Sequence, residues 1–407
     1  MVSPNPSANL QPPLQPNRLP NRLRRLGPRP LPLHLNLSLA SWLSSVPGLM
    51  LLQINSPLWQ LSANPPPPEL CALAKQLGQQ SPSELGPALA RAVAAKSAAL
   101  LAGIERYHQH PYQRQMKEPP AIWQEGSTRL LDYGGKGPVT LVIPSLINKA
   151  YILDLDKQRS LMRWLAAHGL HPLLLDWGAP GSLERDYTLD DYVSRAGRAL
   201  ATLKQPVNLV GYCMGGLLAL KLAAQHSSAV HKLALLATPW DFHAGNKAAA
   251  LRTAKLFQLW QPGCQVMNEL PIDLIQTLFT LLDPLGPQTK FTRFAEMTDP
   301  QDIESFVALE DWLNDGIPLT YKVAEQCLLT FYERNEAHLF TDPRTLRLPT
   351  LVMIPEQDRI VPPQSADALA ALLPDCRRMK VPLGHIGMIV SRGAHNMVHI
   401  PLAEWLR

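Results

Sequence analysis

The chain has 407 residues, of which 46% are hydrophobic and 17% charged, and this composition excludes a disordered or fibrous protein for most of its length. Its five cysteines are widely separated and form no C-x-x-C pair: Cys71, Cys213, Cys264, Cys327 and Cys376. This distribution argues against a disulfide framework and a structural zinc site. We therefore expect no metal and a cytoplasmic location.

The net charge of +5 is concentrated at the start of the chain. Residues 1–68 contain five arginines, no lysine and no acidic residue, whereas the remainder carries 33 basic and 33 acidic residues. Because that remainder is neutral, the basic balance gives no support to a nucleic-acid groove. We expect no nucleic-acid partner.

Residues 1–68 also hold 15 of the 40 prolines, which predicts a mostly disordered arm rich in proline and arginine. Within it, Leu35 to Leu52 is apolar but interrupted by four serines and Pro47. This pattern favours a short amphipathic segment that docks on a hydrophobic surface or on the protein's own body. A secretory signal cleaved near Leu61 to Ala63 is the disfavoured alternative. No run of 18 apolar residues exists, so no transmembrane segment is expected.

Residues 69–120 predict an N-terminal helical region, with helices at Leu70 to Leu77 and Pro87 to Arg106. Short apolar runs then alternate with amphipathic segments. The predicted strands are Thr128–Tyr133, Val139–Ile143, Pro172–Trp177, Val207–Tyr212, Lys232–Ala237, Thr350–Ile354 and Arg378–Val381. The predicted helices between them are Leu155–His168, Thr188–Leu203, Met214–Gln225 and Ser365–Leu373. This alternation predicts an α/β core over 121–242 and 346–407 with a mostly parallel sheet, and a helical cap inserted over 243–345.

The strongest chemical signal is Gly211-Tyr212-Cys213-Met214-Gly215-Gly216, which follows a predicted strand and opens a predicted helix. Glycines on both sides allow the sharp turn of a nucleophile elbow, which exposes the central side chain at the sheet edge. The Met214 backbone N–H at the helix start can donate to an oxyanion. The alternative is a cysteine buried in a packing turn.

An acid and a histidine follow in the order of the α/β-hydrolase fold. Strand Thr350–Ile354 runs into a loop with Asp358, and strand Arg378–Val381 runs into a loop with His385 between glycines. The rival residues for these roles are Glu356 for the acid, and His395 and His399 for the base. Loop position favours Asp358 and His385.

Together with five further segments, these residues resemble the polyhydroxyalkanoate synthase family over about residues 105–407. The segments are Pro144–Leu155, Asp176–Gly178, Leu189–Val193, Asp358–Pro362 and Gly384–Ile386. The resemblance implies a cysteine acyltransferase of the α/β-hydrolase fold that polymerises (R)-3-hydroxyacyl-CoA with release of CoA. It implies that Cys213 carries the acyl group as a thioester, that His385 deprotonates Cys213, and that Asp358 helps to activate the attacking 3-hydroxyl.

Fold analogy adds a second oxyanion donor beside Met214, in the loop that follows strand Val139–Ile143, for which we choose Ile147. No cofactor is expected besides the CoA of the substrate. Expected partners are the growing polyester and a second subunit, either a copy of this chain or an accessory protein, with a location at the polymer granule surface. The alternatives are a cysteine esterase, thioesterase or depolymerase, and a catalytically silent granule-associated relative.

Overall fold

A computed structural model describes residues 25–54, 56 and 67–407. Its main feature is an eight-stranded sheet with the spatial order β1-β2-β4-β3-β5-β6-β9-β10. The strands are β1 Ala121–Glu125, β2 Thr128–Asp132, β3 Val139–Ile143, β4 His171–Asp176, β5 Val207–Tyr212, β6 Val230–Leu236, β9 Thr350–Pro355 and β10 Cys376–Val381. β2 runs in the opposite direction to the other seven strands, which are parallel to one another. The prediction of an α/β core with a mostly parallel sheet is confirmed.

Helices cover both faces of this sheet. They are α4 Leu161–Ala167, α5 Leu189–Ala201, α6 Met214–Gln225, α12 Pro363–Leu372, α13 Gly387–Val390 and α14 Ile400–Leu406. The central strands β3, β5 and β9 are buried along their whole length. Helices cover both faces of these strands, so nearly every residue in them is apolar. Each strand is therefore a continuous apolar run that could be predicted from the sequence.

Between β6 and β9 the chain forms the predicted helical cap. It consists of α7 Lys247–Met267, α8 Ile272–Thr280, α9 Gly286–Glu296, α10 Pro300–Asn314, α11 Tyr321–Glu325 and a π-helical segment Gln326–Glu333. Within the cap a short antiparallel pair, β7 Glu269–Leu270 and β8 Leu319–Thr320, joins the connection between α7 and α8 to the connection between α10 and α11. The cap covers the edge of the sheet where the parallel strands end, because its residues Phe279 and Trp312 line one cavity with Cys213, which follows the end of β5. The chain leaves β6 at that edge and returns past the sheet to start β9 at the opposite edge.

The N-terminal region differs from the prediction. Three helices precede the sheet: α1 Leu31–Gln53, α2 Pro68–Leu77 and α3 Pro82–Gln109. The expectation of a mostly disordered arm over residues 1–68 is therefore wrong for α1, which packs on α3 with the Trp42 side chain only 6% exposed. Its nine leucines favour a helix, and of its two prolines Pro32 lies in the first turn, where proline is tolerated, and only Pro47 lies inside. Residues 1–24 and the disfavoured cleavage site at 61–63 lie outside the described residues.

A strap formed by residues 25–30 ties this region to the cap. The Arg25 guanidinium pairs with Asp311 of α10 and donates to two backbone oxygens in the linker that follows α3. Arg29 pairs with Asp273 of α8 at 2.7 Å, and its backbone N–H donates to Asn314 Oδ1 at 2.9 Å. One short segment therefore holds two cap helices and the linker together.

Gly27 makes this close approach possible, and we expect Gly27→Ala to release the strap. A Cβ on Gly27 would lie 2.3 Å from Asn314 Nδ2. Asn314 is buried, and its amide also donates to the Glu310 carbonyl, so moving it breaks hydrogen bonds at a cost of about 1–3 kcal/mol. Limited proteolysis without denaturant should cut the N-terminal region of Gly27→Ala faster than that of the native chain.

Gly48→Ala is the matched control for this prediction. Gly48 lies inside α1, where an added Cβ meets no atom within 4 Å, so alanine should leave the helix unchanged or stabilise it slightly. Equal protease sensitivity of the Gly27→Ala variant and the native chain would contradict a role for the strap in holding this region.

Two helices, Leu31–Gln53 and Ser83–Gln109, are long and apolar enough to cross a membrane by length and composition alone. Only 17% of the best window of each is buried. Core helices of soluble proteins and signal sequences pass the same test, so this is weak evidence. The expectation that the chain has no transmembrane segment stays a prediction.

His399 gives the fold an acid-sensitive site. It is 6% exposed, and its Nε2–H donates to the Ile389 carbonyl at 3.0 Å. Burial lowers the pKa of His399 to about 4, and His395 contributes to that lowering. Between pH 6.5 and 4 the unfolded chain therefore binds a proton that the folded chain does not. Stability falls as the pH drops through this window, by up to about 3 kcal/mol.

We expect His399→Gln to reduce this loss, because glutamine keeps an N–H donor and does not titrate. Urea unfolding of both proteins at pH 7 and pH 5 measures the effect. Carboxylates that protonate in acid contribute equally to both proteins and cancel in the difference. His231→Gln, at an exposed histidine on β6 that does not contribute to the pKa of His399, serves as the control. An identical pH dependence for the native chain and His399→Gln would contradict the prediction.

Candidate active site

Cys213 occupies the turn between β5 and α6. Its backbone has φ 56° and ψ −130°, a conformation that costs a non-glycine residue on the order of 1–3 kcal/mol. The Cys213 N–H donates to the Leu236 carbonyl on β6 at 2.9 Å, which fixes the turn to the neighbouring strand. The side chain is partly exposed, so the alternative of a fully buried packing cysteine does not describe it.

The flanking glycines are required by close backbone approaches. A Cβ on Gly215 would lie 2.3 Å from the Ile143 carbonyl oxygen at the end of β3. A Cβ on Gly211 would lie 2.5 Å from the Gly216 Cα. Helix α6 can therefore start directly against the sheet, with its first N–H groups beside the Cys213 side chain.

Asp358 and His385 reach the same point from two loops. His385 Nδ1–H donates to Asp358 Oδ2 at 2.6 Å, and His385 lines the same cavity as Cys213, close enough for the charge of Cys213 to act on the pKa of the imidazole. Asp358 Oδ1 accepts the N–H groups of Ile360 and Val361, both at 2.8 Å. Asp358 and His385 are 6% and 8% exposed. Because Asp358 binds Nδ1, the opposite ring nitrogen of His385 is left for Cys213.

Opposing effects act on the His385 imidazole. Burial lowers its pKa, whereas the negative charge of the Cys213 thiolate and the hydrogen bond to Asp358 raise it, and the net direction is upward. Cys213 and Asp358 therefore both favour the protonated, imidazolium form of His385. The Tyr212 hydroxyl donates to the His385 backbone carbonyl at 3.1 Å, which anchors the loop.

The two predicted oxyanion donors differ in their surroundings. Met214 is the first residue of α6, and within residues 67–407 its backbone N–H has no hydrogen-bond partner. The Ile147 N–H instead donates to Ser145 Oγ at 3.0 Å. The structure therefore leaves the Met214 donor available and does not leave the Ile147 donor free.

A second thiol lies close to this site. Cys327, in the π-helical cap segment, donates its S–H to Met214 Sδ at 3.5 Å. Burial, together with the charge of Cys213, raises the pKa of Cys327 to about 12. Cys327 therefore remains a neutral thiol at physiological pH and does not compete as a nucleophile.

A cavity of about 280 Å³ opens over Cys213 and His385. Cap residues form one wall, including Phe279 on α8 and Trp312 on α10. The Trp312 indole N–H donates to the Lys149 carbonyl at 2.8 Å, so this cap helix is tied directly to the loop after β3. Most lining side chains are apolar. The site can therefore hold an acyl chain beside the sulfur and exclude bulk water.

Two cations stand among the residues that line this cavity. Lys149 pairs with Asp315 at 2.7 Å, and Arg359 pairs with Asp283 at 3.2 Å. Both side chains remain substantially exposed. Lys149 and Arg359 lie in separate sequence motifs, and only the folded chain brings them to one cavity, so their shared position was not predictable from sequence.

The rival candidates do not reach the sulfur. Glu356 is exposed, and the acid that contacts His385 is Asp358. His395 and His399 lie near Trp164, on the far side of α13 from the catalytic cavity. Within residues 25–54 and 67–407 no group of three or more potential metal ligands occurs.

The chain is similar to known proteins over about two thirds of its length. A family model described as the alpha/beta hydrolase fold matches residues 141–391. The chain is 32% identical to the poly(3-hydroxyalkanoate) polymerase subunit PhaC of Haloarcula marismortui, over 65% of this chain and 60% of that protein. It is 28% identical to the protein of that name from Allochromatium vinosum, over 65% of this chain and 79% of the relative.

The relative from Haloferax mediterranei is 29% identical, with 62% of its length matched, so the chain spans about three fifths of two of these relatives. A solved monoacylglycerol lipase from Paleococcus ferrophilus superposes with a TM-score of 0.48 at 16% identity, over 69% of this chain and 98% of that one. The motif-based resemblance to polyhydroxyalkanoate synthases is confirmed. The chain belongs to the α/β-hydrolase fold family, and the relatives it matches there are poly(3-hydroxyalkanoate) polymerases.

Proposed function

We propose that this protein is a cysteine acyltransferase that polymerises (R)-3-hydroxyacyl-CoA into polyhydroxyalkanoate and releases CoA. The observation that carries the proposal is the chain of contacts from Cys213 through His385 to Asp358 beneath an apolar cavity. The names of the relatives supply the substrate class. The geometry supplies a nucleophile, a base and a residue that orients the base.

The first half-reaction is thioester exchange. His385 accepts the Cys213 proton, and the thiolate sulfur attacks the thioester carbonyl of the bound substrate. The carbonyl oxygen becomes an oxyanion that the Met214 N–H stabilises. Collapse of this intermediate breaks the bond to the CoA sulfur, and the proton held by His385 passes to that sulfur. One thioester is lost and one is formed, so the step is nearly isoenergetic and depends mainly on orientation.

Elongation uses the 3-hydroxyl group of a second acyl unit. That hydroxyl attacks the thioester on Cys213, forms an ester bond and returns the sulfur to the free thiol. By family resemblance Asp358 assists in activating the hydroxyl. Here both Asp358 oxygens are already engaged, Oδ2 by His385 and Oδ1 by two backbone N–H groups, which supports an indirect role. His385 removes the proton, and Asp358 orients the ring and stabilises its charge.

The proposal is tested by incubating the full chain with (R)-3-hydroxybutyryl-CoA and with a medium-chain homologue. CoA release and insoluble polyester are measured together. Release of CoA with a matching mass of polymer is the expected result. CoA release that yields only free 3-hydroxy acid would identify a hydrolase, because water would then have replaced the hydroxyl nucleophile. No CoA release from either substrate would indicate a catalytically silent, granule-associated relative of the synthases and would contradict the proposal.

We also propose a location at the surface of the polymer granule. On α1 the polar His34 and Ser38 are buried, whereas Leu39 and Leu43 are 45% and 53% exposed. An apolar outer face suits a polyester surface. Deleting residues 1–56 should move the protein from the granule fraction to the soluble fraction. An unchanged distribution between the granule and soluble fractions would contradict this.

We also propose a second subunit, either another copy of this chain or an accessory protein. Light scattering on the same samples tests for it.

A further inference from the structure

A second cavity, of about 480 Å³, lies beside the catalytic one and has a different character. It is enclosed by three segments: residues 157–164 before and within α4, the start of α10, and residues 389–399 after the histidine loop. Helix α13, Gly387–Val390, separates the two cavities, since Ile386 lines the catalytic cavity and Ile389 lines the second. We call it the basic cavity.

The charged side chains that line the basic cavity are all cationic. Four fixed cations line it, Lys157, Arg159, Arg163 and Arg392, with His395 at its edge. Among the described residues that form its wall there is no carboxylate. The potential inside is therefore positive and attracts anions.

The three arginines are held in place from behind. Arg159 pairs with Asp156, Arg163 pairs with Asp154 at 2.8 Å, and Arg392 pairs with Asp302 at 2.6 Å. None of these carboxylates lines the cavity. Each guanidinium has five N–H donors, so one carboxylate partner orients it and leaves further donors for a ligand. Lys157 is exposed and has no ion pair among the described residues.

Two lining residues also carry buried polar atoms without a partner. Trp164 Nε1 and Ser391 Oγ are shielded from solvent, and neither has a hydrogen bond in the described part of the chain. Unsatisfied buried donors are rare in folded proteins and call for an explanation. Two of them in one cavity that is also cationic indicate missing acceptor oxygens.

We infer that the basic cavity binds a phosphate ester. Guanidinium groups match phosphate oxygens in fork geometry, and small rotations of the Trp164 and Ser391 side chains would add an indole N–H and a hydroxyl donor. The volume is within the range of small-ligand sites. Two sources share this chemistry: the adenosine bisphosphate end of a CoA thioester, and a free nucleotide. Either ligand would join cap helix α10 to the segment that follows His385.

Isothermal titration calorimetry of the full chain with adenosine 3′,5′-bisphosphate, ADP and inorganic phosphate tests the inference. We expect saturable binding of the two nucleotides, weakening as salt is raised. The double variant Lys157→Gln with Arg392→Gln should bind roughly tenfold or more weakly, because both cations face the ligand and neither is needed for folding.

The matched control is Lys136→Gln with Arg344→Gln, which removes the same charge outside the cavity. Both residues are exposed, and Arg344, like Arg392, pairs with a surface carboxylate. This control should bind within about twofold of the native chain, since distant exposed charges are largely screened. No saturable binding, or the same loss in both double variants, would overturn the inference.

Trp164→Phe gives an independent readout that changes no charge. Phenylalanine keeps an aromatic ring and removes the unpaired N–H, so the unliganded protein should be no less stable. Nucleotide binding should weaken several-fold because one donor is lost. Unchanged affinity in this variant and in Ser391→Ala would show that the orphan donors do not contact a ligand and would overturn that part of the assignment.

Competition distinguishes the two sources. If the ligand is the substrate's own phosphate end, adenosine 3′,5′-bisphosphate competes with the acyl-CoA, and the Lys157 and Arg392 double variant raises KM without lowering kcat. If the ligand is a separate nucleotide, the native chain still binds adenosine 3′,5′-bisphosphate, but the double variant keeps the native KM for the acyl-CoA. The calorimetric test requires no turnover, so failure of the proposed polymerase activity would not decide it.

Discussion

Replacing Cys213 with alanine should abolish CoA release from 3-hydroxyacyl-CoA, and replacing it with serine should lower the rate by at least about 10³-fold. Alanine removes the attacking atom. Serine keeps the turn, but its hydroxyl is a weaker nucleophile than a thiolate, and the ester it forms is less reactive than a thioester. The measurements are the initial rate of CoA release and the intact mass of the protein after brief incubation with substrate. An acyl mass increase should appear in the native chain and be absent from Cys213→Ala.

Cys376→Ser is the matched control for this prediction. Cys376 is a partly buried free thiol at the start of β10, away from the catalytic cavity, so its loss should leave the rate within about twofold. A Cys213→Ala variant that remains folded and keeps more than a tenth of the native rate would show that another group carries the acyl chain.

The three catalytic residues were predictable because the short sequence around each of them identifies its position. Each candidate residue follows a strand directly: Cys213 after β5, Asp358 after β9 and His385 after β10. Parallel strands end at one edge of the sheet, so residues that follow them come together whatever the rest of the chain does. The strands themselves are apolar and buried, which makes their boundaries clear in the sequence.

Other parts depend on contacts that no local pattern shows. Strand β1 was missed because it lies at the sheet edge and its residues are mostly exposed. The predicted helix Leu155–His168 is shortened to Leu161–Ala167, because Asp154 and Ser160 form a bridge and Ser160 caps the helix. The place where helix α1 packs was not predicted, because its partners on α3 and in the cap lie far away in sequence.

The basic cavity shows the same limit for function. The chain beyond residue 68 is neutral, and its cavity-lining arginines come from separate segments. Arg163 and Arg392 are separated by more than half of the chain, and the fold brings both to the cavity behind the histidine loop. A constellation made from distant segments becomes visible only after the order of the strands is known.

Asp358→Asn should keep the shape of the site while lowering kcat by about 10² to 10⁴-fold, with little change in KM. Asparagine cannot accept the His385 Nδ1–H in the way that a carboxylate does, and it cannot stabilise the imidazolium. Burial lowers the pKa of His385, and the Cys213 thiolate and Asp358 raise it above its ordinary value. Loss of the carboxylate therefore lowers this pKa, and the imidazolium that protonates the departing CoA sulfur is lost at a lower pH.

The alkaline limb of the kcat profile of Asp358→Asn should accordingly move to lower pH. The same raised pKa of His385 contributes folding stability that is complete below about pH 6.5 and fades as the pH rises through the folded value. Asp358→Asn should therefore be less stable than the native chain at pH 6.5, and the difference should shrink in alkaline buffer. Glu356→Gln removes an exposed carboxylate two residues away and should change neither profile. A limb that stays in place in Asp358→Asn would show that this aspartate does not act through His385.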